Sequence, residues 1–156
     1  MVIRKAGLKD IDTLIDLRIG YLVSDLGLIA DNAAPIRRQL RGYFRKHIDI
    51  DFIAALAHIN GRCISTAFLV ISEMPANPSF ITGIIGTMLN VYTLPEYRRR
   101  GIATQVIRFL IDEAAQRKVS RIDLNASPEG IPLYRSLGFT EPDPLAGYIP
   151  MKLRLH

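Results

Sequence analysis

The sequence has few of the residues that build disulfide and metal sites. It contains one cysteine, Cys63, and three histidines, His47, His58 and His156, which lie far apart along the chain. A single cysteine excludes an internal disulfide and any metal site made of several cysteines. The histidines also lack the spacing of metal ligands. We therefore expect neither a disulfide scaffold nor a bound metal.

Long apolar runs are missing as well. The start of the chain, Met1 to Ala6, has no apolar segment of the kind found in a secretory leader, and no later run approaches the roughly 18 uncharged apolar residues of a spanning helix. A length of 156 residues, 49% of them hydrophobic and 22% charged, fits one globular domain over 1–156. We predict a soluble, cytoplasmic protein without a membrane partner.

The charge of the chain is moderately basic, with a net value of +5 and a pI near 9.6. Basic residues concentrate in two stretches, 37–46 and 98–100. Such charge permits an acidic partner, although a solvated arginine-rich surface also explains it. The sequence has no helix-turn-helix pattern, no zinc-finger spacing, and no aromatic residues interleaved with the basic clusters. Nucleic-acid binding is therefore a disfavoured alternative.

Apolar periodicity and turn signals predict an α+β chain with the order β-α-α-β-β-β-α-β-α-β. Hairpins join the early strands, and a βαβ crossover joins the later ones. The predicted strands cover Val2 to Lys5, Phe52 to His58, Cys63 to Ser72, Ile81 to Thr93, Arg121 to Asn125 and Gly147 to Leu155, and the turn Asn60-Gly61 joins the second and third. Two helices open at Leu8 and Pro35, and a third covers Ile102 to Arg117. A short fourth helix is opened by Ser127-Pro128-Glu129 and ended by Leu137-Gly138.

The most informative stretch is the basic turn Tyr97 to Thr104, because it lies between a predicted strand and a predicted helix. The first N–H groups of a helix lack intrahelical partners, and the helix dipole places partial positive charge there. Gly101 allows a ligand to approach the backbone, and Arg98 to Arg100 add full charges. The turn therefore predicts a site for a pyrophosphate or for several phosphates.

Two segments in this order carry a family resemblance. Arg98-Arg99-Arg100-Gly101-Ile102-Ala103 fits the acetyl-CoA pyrophosphate signature (Arg or Gln)-x-x-Gly-x-(Gly or Ala), and Leu133-Tyr134-Arg135-Ser136-Leu137-Gly138-Phe139 fits Leu-Tyr-x-x-x-Gly-Phe. On these motifs the chain resembles the GCN5-related N-acetyltransferases. The resemblance implies a mixed central sheet of about six to seven strands, splayed in the middle, with about four helices on both faces. It also implies acetyl-CoA as co-substrate and direct transfer of the acetyl group to a primary amine in a ternary complex.

The resemblance also implies which residues hold acetyl-CoA. The backbone of Arg99, Arg100, Gly101, Ile102, Ala103 and Thr104 would bind the pyrophosphate, with Arg98 at the first signature position. Arg99 and Arg100 could instead contact the 3′-phosphate or solvent. The strand end at Val91, Tyr92 and Thr93 would pair with the pantetheine arm. Asn125 and Ser127 would bind the same arm, with turn formation and helix capping as their alternatives.

Tyr134 is the catalytic candidate that the resemblance implies, as the acid that protonates the departing CoA thiolate. A phenol, with an ordinary pKa near 10, is an adequate acid for a thiolate. The alternative is a core aromatic residue. The glutamate that serves as base in histone-type members falls on Thr87, which cannot accept a proton in that role. Glu73, His58 and a water chain remain candidates for the base, which stays undetermined, and Glu129 is a better dipole partner than base.

Three questions stay open at the level of sequence. A non-catalytic acyl-CoA-binding module on the same fold is the main alternative, because the strand glutamate is missing. The acceptor is expected to be a small-molecule or peptide amine. The acidic residues Asp25, Asp31 and Glu73 would favour a cationic amine. The basic residues Arg37, Arg38 and Arg41 would instead favour an amine that carries a carboxylate. Homodimerisation is expected by family analogy alone. Cys63 is expected to be a buried core residue rather than a nucleophile.

Overall fold

The computed structural model describes residues 1–142, 149 and 151–155, which form two compact units, Met1–Asn125 and Ala126–His156. The first unit contains β1 Val2–Lys5, α1 Ile11–Leu26, α2 Ala33–His47, β2 Phe52–Ile59, β3 Arg62–Glu73, β4 Ile84–Thr93, α3 Ile102–Gln116 and β5 Arg121–Asp123. The second contains α4 Ile131–Ser136. Short 3-10 turns cover Leu8–Asp10, Ala30–Asn32 and Pro95–Tyr97.

The five strands form one sheet in the order β1-β2-β3-β4-β5. All neighbours are antiparallel except β4 and β5, which the α3 crossover makes parallel. The turn between β2 and β3 has positive φ at both Asn60 (49°) and Gly61 (77°), as a two-residue hairpin turn of this twist requires. The predicted hairpin and crossover are therefore both confirmed.

The core lies on both faces of this sheet. Because successive strand residues point to opposite faces, Phe52 faces α1 and α2, whereas Ile53 faces α3. On the first face the ring of Phe52 lies 5.1 Å from Phe44 and 5.1 Å from Phe68. On the second face, α3 buries Val106, Ile107 and Leu110, all 0% exposed. The mixed sheet is thus covered by helices on its two sides, as predicted.

The sheet has fewer strands than predicted, five rather than six to seven over the described residues. The predicted last strand, 147–155, includes positions 147, 148 and 150, which lie outside the described residues, and its described residues belong to no strand. The single-domain prediction stays a prediction.

Several element boundaries also differ from prediction. β4 begins at Ile84 rather than Ile81, because the N–H of Gly83 donates to Phe80 O (3.0 Å) in a turn with φ +74°. α4 begins at Ile131, because 128–130 form a turn that Ser127 closes. Among the described helices, none combines the length and the apolar character needed to cross a membrane.

Candidate functional site

The end of β4 has a free edge. β5 pairs with β4 only over Ile85–Thr87, opposite Arg121–Asp123. The remainder of β4, residues 88–93, therefore has β3 on one side and no strand of the described residues on the other. Unpaired backbone N–H and C=O groups along such an edge are available to an extended ligand. This is the splayed position that the sequence resemblance implied for Val91, Tyr92 and Thr93.

A bulge distorts the same half of β4. Tyr92 lies opposite Thr66 and Leu89 opposite Phe68, so that Asn90 and Val91 share one partner position on β3. Asn90 reaches this geometry with a positive φ of 54°, which asparagine tolerates better than most residues. The bulge was not predicted. It carries the side chain of Asn90, only 3% exposed, onto the same face as α1.

The turn after β4 ends in an open helix N-terminus. Gly101 is the N-cap of α3, with φ +72°, and no side chain caps the helix. The first intrahelical bond comes from the N–H of Gln105, and no described residue accepts a hydrogen bond from the N–H of Ile102, Ala103 or Thr104. The first turn also lacks an acidic residue. These features together leave unpaired N–H donors and partial positive charge, which favour an anion, at the position where the sequence predicts an anion site.

The arginines of the turn play different structural roles. Arg98 donates from Nε to Thr93 O (3.0 Å), and its guanidinium lies 5.7 Å from the centre of the Tyr92 ring. Arg100 donates from Nη2 to Glu96 O (3.0 Å). Arg99 holds a positive φ of 64° and has no side-chain partner among the described residues. Arg98 and Arg100 thus brace the turn, and the charge of Arg99 remains available.

A row of two tyrosines with an arginine at each end connects this turn to α1. From Arg98 the row passes through Tyr92 to Tyr21, whose ring lies edge-on at 6.3 Å from that of Tyr92. It ends at Arg18, whose guanidinium lies 5.5 Å from the Tyr21 ring and donates from Nη1 to Asn90 Oδ1 (3.2 Å). Burial lowers the pKa of Arg18 below its ordinary value. Sequence analysis did not single out Arg18, because its neighbours come from a distant strand.

The base candidates lie at different distances from this strand end: Glu73 is remote, whereas His58, opposite Cys63, lies at the same end of the sheet. Glu73 lies opposite Ile84, the first residue of β4. At about 3.3 Å per residue, this position is roughly 30 Å along the strand from Thr93. His58 lies on β2, with β3 between it and β4. Thr87 is exposed and lies beside Asp123 of β5, but that carboxylate is bound by Arg121 (Nε to Oδ1, 2.9 Å). The base stays undetermined.

The second unit contains the short helix that bears Tyr134. Its ring packs edge-on against Phe139 at 5.8 Å, and the N–H of Phe139 donates to Tyr134 O (3.1 Å). Gly138, with φ +93°, ends the helix as predicted. Ser127 Oγ accepts a hydrogen bond from the N–H of Gly130 (3.3 Å) and so closes the turn before α4, whose own N-cap, Gly130, has no side-chain cap. A catalytic role for Tyr134 and ligand contacts for Ser127 and the exposed Asn125 stay predictions.

Cys63 packs against the core but is less buried than expected. It is half-buried on β3, and burial raises the pKa of its thiol above the ordinary value, which disfavours the reactive thiolate. Within the part of the chain that is described, no three His, Cys, Asp or Glu side chains are grouped as metal ligands.

The relation to known proteins agrees with this geometry. A family model described as an acetyltransferase (GNAT) domain matches residues 51–141, more than half of the chain. The chain belongs to the GNAT family. The ribosomal protein bS18-alanine N-acetyltransferase of Escherichia coli is 34% identical over 67 residues. That segment covers 41% of this chain and 45% of the relative, so the chain matches less than half the length of this curated GNAT protein.

Solved GNAT structures match nearly the whole chain. A predicted acetyltransferase from Clostridium acetobutylicum, solved with acetyl-CoA, has a TM-score of 0.83 and 31% identity over 97% of this chain and 95% of its own. A GCN5-related N-acetyltransferase from Ralstonia eutropha has a TM-score of 0.79 and 23% identity, covering 95% and 97% of the two chains. A ribosomal-protein-alanine N-acetyltransferase from Brucella melitensis has a TM-score of 0.72 and 21% identity, covering 99% and 100%. The last two show the fold alone.

Proposed function

We propose that this protein is an acetyl-CoA-dependent N-acetyltransferase that acts on a primary amine. The observation that carries the proposal is the open N-terminus of α3, whose first N–H groups find no acceptor, placed directly after a strand with a free edge. Family membership supports the same conclusion, as does the likeness to a relative solved with acetyl-CoA. A soluble, cytoplasmic location is a part of the proposal that rests on composition, and a homodimer is a part that rests on family analogy alone.

The donor would bind along the strand end and the turn. The N–H groups of 102–104 would donate to the pyrophosphate oxygens, with the helix dipole and the free Arg99 charge adding electrostatic attraction. The unpaired edge of residues 88–93 would hydrogen-bond to the amides of the pantetheine arm, as an added strand would. Gly101 leaves the space around a Cβ position open, with no heavy atom within 4 Å. The residues present therefore fit a phosphate-bearing, extended ligand.

Acetyl-CoA supplies an activated acyl group as a thioester. In the proposed reaction the free amine attacks the acyl carbon, a C–N bond forms, and the C–S bond breaks. Tyr134 would donate its proton to the departing thiolate, and the proton that the attacking nitrogen loses as the amide forms would restore the phenol, directly or through water. The proton lost by the ammonium form of the acceptor would leave through water or through a base that stays unassigned. Free backbone N–H groups along β4 would stabilise the developing oxyanion.

One observation favours a second candidate, a non-catalytic acyl-CoA-binding module. Thr87 stands where histone-type members carry a glutamate, and the neighbouring carboxylate of Asp123 is bound by Arg121. Such a module would bind acetyl-CoA but release no CoA in the presence of amines.

Two measurements on the purified protein separate these functions. Isothermal titration with acetyl-CoA tests the donor site, and we expect saturable binding. Thiol detection of released CoA, across amino acids, polyamines, aminoglycosides and a peptide with an N-terminal alanine, tests transfer. Absence of acetyl-CoA binding would refute both functions, whereas binding without amine-dependent CoA release would favour the module. A complex with nucleic acid that weakens steeply with salt would instead favour the third alternative.

A further inference from the structure

Arg18 is a partly buried cation without a counter-ion. It lies on α1, and the only side chains of the described residues that contact its guanidinium are Asn90, which accepts one hydrogen bond, and Tyr21, whose ring it overlies. None of the described carboxylates pairs with it. Guanidinium carries five N–H donors, and a buried charge is normally paired. Four of those donors have no acceptor among the described residues.

Asn90 adds a second unsatisfied group at the same place. Its Oδ1 is taken by Arg18, and its Nδ2 is buried without a hydrogen-bond partner among the described residues. Leaving a buried polar group unpaired is unfavourable, and proteins rarely retain such groups without a use. The Arg18–Asn90 pair therefore has donors to offer and no acceptor within the described part of the chain.

The position of this pair identifies which molecule could supply the anion. Asn90 and Tyr92 lie in the half of β4 with the free edge, and the arginine-tyrosine row leads from Arg18 to the turn. In the proposed function the phosphates of CoA lie at the turn, and the arm along the strand edge is uncharged. An anion at Arg18 must therefore come from the other substrate.

The arginines of α2 are poorer candidates for this task. Arg37 pairs with Asp16 (2.8 Å) and Arg41 with Asp12 (2.6 Å), both aspartates on the exposed side of α1. These pairs already neutralise Arg37 and Arg41, two of the three arginines that the sequence had suggested for a carboxylate, and the third, Arg38, is exposed. Arg18 instead combines partial burial with an unpaired charge, which strengthens its attraction for an oxyanion.

We propose that Arg18 binds an anionic group, a carboxylate or a phosphate, of the acceptor and thereby makes the enzyme select amines that carry such a group. This inference rests on the proposed function. Arg18 presents a planar fork that matches a carboxylate or phosphate with two parallel hydrogen bonds. Asn90, through its bond to Nη1, acts as a positioning residue for the guanidinium.

Matched acceptor pairs test the proposal. The common amino acids are compared with their C-terminal amides, and O-phosphoethanolamine with ethanolamine, by initial rates of CoA release. The amine of each amide is less basic, so a larger fraction of it is unprotonated and reactive at neutral pH. This difference favours the amide, and a preference for the carboxylate therefore cannot arise from the supply of free amine. We expect the anionic member to have a kcat/KM at least about tenfold higher, in line with loss of a charge-assisted hydrogen bond. Arg18→Met should reduce this ratio to near one, and Arg18→Lys should retain part of it.

Controls separate recognition from folding and from the proposed function. Arg108→Met makes the same change at an exposed site on α3 and should leave the ratio unaltered. The melting temperature of the CoA complex is measured for each variant with and without the same anionic compounds. If acetyl-CoA binds but no amine is acetylated, the transferase fails, and the anion site is then judged by these melting temperatures. A higher melting temperature with the anionic compounds in the wild type, but not in Arg18→Met, supports the anion site.

Three results would overturn the inference. One is a wild-type kcat/KM for the neutral member of each pair that equals or exceeds that for the anionic member. Another is an unchanged ratio in Arg18→Met. The third is a failure of every anionic compound to stabilise the wild-type complex.

Discussion

Replacement of Gly101 by alanine separates the backbone strain of the turn from its role in binding. Gly101 has φ +72°, and Gly61, in the hairpin turn between β2 and β3, has φ +77°. An added Cβ would meet no heavy atom within 4 Å at either position. The cost in the free protein is therefore the left-handed backbone penalty alone, about 1 to 2 kcal/mol in both variants. For a chain of this length that lowers the melting temperature by roughly 2 to 8 °C.

The two variants should differ in affinity for acetyl-CoA. The Cβ at position 101 protrudes from the backbone that would approach the phosphates, whereas position 61 lies in a remote hairpin. Loss of one hydrogen bond to a charged group, about 1.5 to 3 kcal/mol, corresponds to a loss of affinity of roughly tenfold to hundredfold. Isothermal titration with acetyl-CoA measures the affinities, and urea unfolding the stabilities. Equal affinity in Gly101→Ala and Gly61→Ala, at equal stability loss, would refute the placement of the phosphates at this turn.

Two further predictions concern acid stability and the catalytic acid. Arg4 holds Asp10 with two hydrogen bonds (2.8 and 2.7 Å) and lowers its pKa from 3.8 to about 2. Because the folded pKa is the lower one, this carboxylate stabilises the fold above about pH 4 and loses that effect as the pH falls toward 2, a change of about 2 kcal/mol. Urea unfolding across this range should show the loss in the wild type and not in Asp10→Asn, whereas Asp16→Asn, at an exposed ion pair, should change stability by less than about 0.5 kcal/mol. A pH dependence in Asp10→Asn equal to that of the wild type would contradict the assignment. Tyr134→Phe should lower kcat with little change in the Kd of acetyl-CoA, and an unaltered kcat would remove the phenol as the acid.

The local parts of the fold and site could be predicted because their signals lie within a few residues. Asn60-Gly61 specified a hairpin, since both residues tolerate positive φ. Gly101 and the helical spacing of apolar residues after it predicted a turn followed by a helix, and α3 does begin directly after Gly101. The start of α4 was predicted wrongly, because Ser127 and Pro128 form a separate turn before the helix begins at Ile131.

The non-local parts depended on register. Asn90 lies in a bulge that arises only because β3 and β4 pair with one extra residue on β4, and no local pattern reports that mismatch. The pairing of Arg37 and Arg41 with aspartates of α1 depends on how the two helices face each other. The sequence could therefore identify arginines but not which of them keeps a free charge.

By itself, the sequence determined the family of the protein and the place of a basic turn between a strand and a helix, because both are written in contiguous residues whose backbone requirements are local. The tertiary structure decided which strand edge is free and which arginines lie beside a carboxylate. Both features depend on contacts between α1, α2 and β4. These elements are distant along the chain, and only folding brings their polar and charged groups within hydrogen-bonding distance.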